Sequence, residues 1–82
     1  MKKYSDLKVE AIKLLEQKSF DKALEFINAA IEIEPKDVDA LFSQGLIFHK
    51  LGRNNQAIQS YKKSLSIKPN FRSLNNISSL YW

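Results

Sequence analysis

The two prolines of this chain, Pro35 and Pro69, divide it at a regular interval. Each closes a stretch of helical character, Ala29-Ala30-Ile31-Glu32-Ile33-Glu34 before the first and Lys63-Ser64-Leu65-Ser66-Ile67-Lys68 before the second. Proline has no N–H to donate and its ring clashes with the preceding turn, so a helix stops where it arrives. Two stops separated by about 34 residues, a spacing at which helical units stack, mean that a structural unit recurs along the chain.

Between the stops the apolar residues keep a helical period. Leu7, Ala11, Leu14 and Leu15 mark a first helix over 4–17. Ala23, Leu24, Ile27, Ala30, Ile31 and Ile33 mark a second over 20–34, with Ser19 as its expected N-cap. Asp37 is expected to cap a third, which carries Ala40, Leu41, Gly45, Phe48 and Leu51 on one face. Gly52 ends that helix by entering the left-handed region. A fourth, at about 55–68, carries Ala57, Ile58, Tyr61, Leu65 and Ile67, and Asn70 opens a fifth over 71–82. No period-two alternation marks a strand. The chain is expected to be all-α, with short connections that make successive helices antiparallel neighbours.

The shift that carries Pro35 onto Pro69 lays the units on each other. Leu7 falls on Leu41, Ala11 on Gly45, Leu14 on Phe48, Ala23 on Ala57, Ile27 on Tyr61 and Ala30 on Ser64. Size class agrees where identity does not. The small residues Ala11/Gly45 and Ala23/Ala57 are expected where two helices of a pair cross closely, and Ala30/Ser64 where the next unit packs; bulk there would force the helices apart.

These residues resemble the tetratricopeptide repeat family. The second unit carries its pattern as Leu41, Gly45, Phe48, Gly52, Ala57, Tyr61, Ser64 and Pro69; the first carries it as Leu7, Ala11, Leu14, Phe20, Ala23, Ile27, Ala30 and Pro35. Glu10 and Gln44 stand where the family has leucine, Lys18 where it often has glycine, and Ser64 where it has alanine. The resemblance implies a right-handed α-solenoid of antiparallel helix pairs, forming one domain over 1–82. Its first repeat would span 4–37 and its second 38–71, with a partial third repeat or capping helix over 72–82 and five helices in all. A register one residue shorter turns Leu74, Ile77, Ser78 and Tyr81 inward in that last helix. The closing pair Tyr81-Trp82 suits either an end that meets another molecule or a chain cut from a longer array.

In the family, the first helix of each repeat lines a concave groove that takes a peptide or helix. Carried onto this sequence, the groove residues are Lys8, Ile12 and Leu15, then Phe42, Leu46, His49 and Lys50, then Arg72 and Asn75. Ile12, Leu15, Phe42 and Leu46 lie outside the inward stripe yet are apolar, which marks a contact surface. The subtype that clamps chaperone-tail carboxylates needs two asparagines; Ile12 and Ser43 stand in their places, and Asn76 holds a place usually basic, so the amide cradle is missing.

Composition narrows the rest. With no cysteine and one histidine, neither disulfides nor a thiolate metal site can form, and no carboxylate stands at metal-ligand spacing from His49. Gly45 and Gly52 build no phosphate loop. No catalysis and no cofactor are expected. No run reaches the ~20 apolar residues of a membrane span, and the first residues lack a secretory h-region, so the expected location is cytoplasmic. Residues 1–37 hold seven lysines against eight carboxylates; residues 38–82 hold six basic residues against Asp39 alone. The basic half admits an acidic partner. Lys62 and Lys63 fall on an outer helix, away from the aromatic groove residues, which argues against nucleic acid. The expected function is a scaffold for a protein or peptide, with self-association through the last helix as the alternative and nucleic-acid binding as a minor one.

Overall fold

The computed structural model describes residues 4–68, with side-chain surroundings from Asp6 onward. Four helices follow one another: α1 (Tyr4–Glu16), α2 (Phe20–Ile33), α3 (Val38–Lys50) and α4 (Asn54–Ile67). No strand occurs among the described residues. The expected fifth helix, its Asn70 cap and Pro69 lie outside them. Connections of three or four residues leave each helix no choice but to fold back on the one before. Accordingly α1 lies on α2, α2 on α3 and α3 on α4, while α1 also touches α3.

The first three helices end for readable reasons. After α1, Lys18 N–H donates to Leu15 O (3.1 Å) and Ser19 N–H to Leu14 O (2.8 Å). After α3, Gly52 N–H donates to His49 O (3.0 Å) and Arg53 N–H to Phe48 O (2.8 Å). Both are Schellman stops at equivalent places in the two units, and both hold one residue in the left-handed region: Gly52 at φ +79° and Lys18 at φ +64°. Glycine takes that conformation without cost, whereas lysine adopts it against its own Cβ. Pro35 follows α2 in a turn closed by Asp37 N–H to Glu34 O at 3.2 Å, with its ring presetting φ.

The helix starts divide. Asp37 caps α3 as expected: Oδ1 accepts from Asp39 N (2.9 Å) and Ala40 N (3.2 Å). Ser19 occupies the N-cap position of α2, but its hydroxyl accepts no capping bond. At φ −88° and ψ 67° its backbone is outside the extended conformation that normally aims a cap side chain at the first turn.

Two apolar clusters form the interior. Ala11, Ala23, Ile27, Ala40 and Ile47 centre the first, with Leu14, Leu15, Phe20 and Phe26 among the side chains around them. Phe48, Ala57 and Tyr61 centre the second, with Phe42 and Leu65 against them. Leu24 packs on both, so the two units share one interior. The small residues sit at the crossings: Ala11, Ala23, Ala30, Ala57 and Ser64 are buried. A Cβ at Gly45 would meet the Tyr61 ring, with Cε1 at 2.5 Å and Cδ1 at 2.7 Å. Ile33 and Ile67, read from periodicity as part of the inward stripe, are 55% and 40% exposed. Each is the last residue of its helix, at its exposed end.

Polar bonds tie the units further. Lys8 Nζ meets Asp37 Oδ2 at 2.9 Å, joining α1 to the start of α3. Gln44 Nε2 donates to Asn28 Oδ1 (2.8 Å) and Gln44 Oε1 accepts from Ser60 Oγ (2.9 Å), linking α2, α3 and α4. Gln44, which stands where the family has leucine, links three helices with a satisfied amide.

Candidate peptide-binding face

Helices α1 and α3 occupy equivalent places in their units and touch. A helix presents i, i+3 and i+4 on one side. On α1, Ala11 and Leu14 go into the first cluster, Lys8 reaches toward Asp37, and the outward side carries Val9, Ile12 and Glu16. Val9 and Ile12 are large apolar residues left 48% and 44% exposed. At the matching station of α3, half-buried Leu46 takes the place of Ile12, and exposed Lys50 follows one turn later.

The residues expected to line the groove therefore have different surroundings. Ile12, Leu46 and Lys50 are accessible, with Lys50 exposed and Leu46 half-buried. Leu15 and Phe42 are largely spent on structure. Leu15 packs on the first cluster. The Phe42 ring centroid lies 5.8 Å from that of Tyr61 at a 43° tilt, within the separation at which aromatic pairs attract. His49 is half-buried, and makes no ion pair with Glu16 among the described residues. Lys8 is engaged by Asp37. Arg72 and Asn75 lie outside the described residues.

Val9 was not legible as a site residue. Its equivalent in the second unit is Ser43, so comparing the units gave no apolar match there. Its spacing of three from Ile12 was the one available signal. The charges around the accessible residues are mixed, with exposed Glu16 and Asp39 set against Lys50. Such a surface suits an amphipathic segment with apolar anchors better than a uniformly charged ligand.

A cleft of about 540 Å³ lies elsewhere, lined by Gln44, Phe48, Gln56, Ser60 and Lys63 among others. A second, about 300 Å³, sits at the α1–α2 turn between Phe20 and Leu51. Peptides docked along helix faces need an open strip more than a closed hollow. No group of His, Cys, Asp or Glu among the described residues could hold a metal ion. No helix among them is long and apolar enough to cross a membrane.

Comparison with known proteins agrees with this architecture. Residues 38–71 match the tetratricopeptide repeat, and residues 11–37 match it a second time. Over 67 residues, 82% of the chain, the sequence is 34% identical to the tetratricopeptide repeat and J domain-containing co-chaperone DNJ1 of Fusarium oxysporum f. sp. lycopersici. The chain spans 13% of that relative's length. Two matched units at the observed spacing, on helices that pair and stack as these do, establish that the chain belongs to the tetratricopeptide repeat family.

Proposed function

We propose that this chain is a non-catalytic protein-interaction scaffold that holds a peptide or helix of a partner protein along the face formed by α1 and α3. One observation carries the reading. Ile12 and Leu46 occupy the same station of successive units, on helices that touch, and neither belongs to the buried interior. Val9 extends the apolar strip by one turn. Burial of such a strip contributes about 25 cal/mol per Å² of apolar area removed from water. Lys50 and Glu16 flank it with opposite charge and would orient the ligand. Arg72 and Asn75 would continue the face on a third unit, stacked in the right-handed sense of the family, with the last helix covering the open end of the second repeat. Lys8, Leu15, Phe42 and His49 shape the floor beneath the ligand. The co-chaperone similar to this chain carries such repeats beside a J domain, which supports a partner that is itself a protein.

The test is selection of binders from a displayed random-peptide library against the 82-residue chain, followed by affinity measurement on an Ile12→Glu/Leu46→Glu variant. Loss of at least about tenfold in affinity with unchanged helicity is expected. Equal affinity would place the ligand on another surface. A Phe42 substitution would not serve, because it also removes the contact with Tyr61.

A further inference from the structure

The helices α2 and α4 hold the same station in successive units and are both 14 residues long, yet their outward sides carry opposite charge. Along α2, Asp21, Glu25 and Glu32 are exposed at spacings of four and seven, one side of the helix, with Asn28 between them. At the equivalent places of α4, Asn55, Gln59 and Ser66 replace the three carboxylates and Lys62 replaces Asn28. Every carboxylate has become neutral and the neutral amide has become a lysine. Lys63 stands beside it where α2 has Ala29. Thus α4 holds two exposed lysines and no carboxylate, whereas α2 holds three carboxylates against Lys22.

A negative strip on α2 and a positive strip on α4, helices tied to each other through Leu24 and the Asn28–Gln44–Ser60 bonds, are self-complementary under a two-fold axis, the condition for an isologous interface. Under such an axis, running between the two helices and along them, α2 of each copy would lie over α4 of the other. Repeat-equivalent positions would then face each other. Position 62 comes opposite position 28, which puts Lys62 of one copy three residues from Glu25 and four from Glu32 of the other, about 4.5 and 6 Å along the helix axis at 1.5 Å per residue. A lysine side chain spans that distance. Because of the symmetry the same contacts form twice.

We propose that the outer face of this protein, α2 with α4, is a self-association surface, and that its occupant is a second copy of the chain. The α1–α3 face stays open in that assembly, so partner binding and self-association are separate properties. Exposed charge pairs are individually weak and salt-screened, so the association is weak at high ionic strength and sensitive to charge.

Sedimentation equilibrium of the 82-residue chain tests this at ~0.05 M and ~0.5 M salt, between which screening shortens sharply. A monomer–dimer equilibrium at low salt, weakened at least about tenfold at high salt, is expected. Lys62→Glu/Lys63→Glu and Glu25→Lys/Glu32→Lys should each lose association when alone, and an equimolar mixture should recover it, since each reversed helix then meets its complement. All four positions are exposed, and circular dichroism of each variant checks that helicity is retained. A chain that stays monomeric at low salt overturns the proposal. So do salt-insensitive association, association that survives either reversal alone (as docking through the last helix would), and a mixture no stronger than its components.

Discussion

Gly45 shows how one missing atom sets the distance between two helices. Its absent Cβ leaves room for the ring of Tyr61, which is itself fully buried and has nowhere to retreat. Alanine there gains helix propensity of about 1 kcal/mol but forces a rigid, enclosed ring aside. Overpacking of this kind costs about 1–3 kcal/mol, so Gly45→Ala should lower the urea midpoint despite the better propensity. Lys18 poses the opposite case. It holds φ +64° at the position where the second unit has Gly52, and a non-glycine residue held left-handed costs about 1–2 kcal/mol. Chemical denaturation should therefore find Lys18→Gly more stable by about 1 kcal/mol. Gly52→Ala should be less stable by a similar amount, although a Cβ at Gly52 meets no atom within 4 Å. Equal stability of Lys18→Gly and the parent would remove strain from the account.

At the scale of the element, the helix boundaries followed from chemistry visible in the sequence. Asp37, Gly52 and Pro35 each act where their residue type demands, because a cap, a left-handed stop and a proline turn are local. Ser19 shows the limit. Its place at the start of α2 was legible, but whether its hydroxyl reaches the first turn depends on a backbone angle that the preceding Schellman stop imposes. The packing of half-buried Leu15 and Phe42 was equally hidden. Helical period assigns a side chain to a sector, and only the neighbouring helices decide whether that sector is solvent or a Tyr61 ring. Asp37 gives the sharpest prediction at this scale. One oxygen caps α3 and the other pairs with Lys8, so Asp37→Ala should cost about 1–2 kcal/mol in thermal or urea unfolding. Lys8→Ala removes the partly exposed ion pair but leaves the cap, and should cost less than Asp37→Ala. Ser19→Ala, which breaks no capping bond, should be close to neutral.

Across the described residues, the two helix pairs are joined by Ala40 and Ile47 of α3 in the first cluster, by Leu24 in both clusters, by Lys8 on Asp37, and by the Asn28–Gln44–Ser60 chain. Units that share an interior should unfold together, as neighbouring repeats coupled by a strong interface do. Leu24→Ala should then cost about 2–5 kcal/mol and broaden the single unfolding transition as the units uncouple. The same architecture leaves two distinct faces, an apolar strip on the first helices and a charge-paired strip on the second. Chemical-shift mapping of the 15N-labelled chain with a library-selected peptide tests most directly whether the first of these holds a ligand. The largest changes should fall at Val9, Ile12, Leu46 and Lys50. Changes concentrated instead at Gln56, Gln59 and Lys63 on α4 would contradict the account.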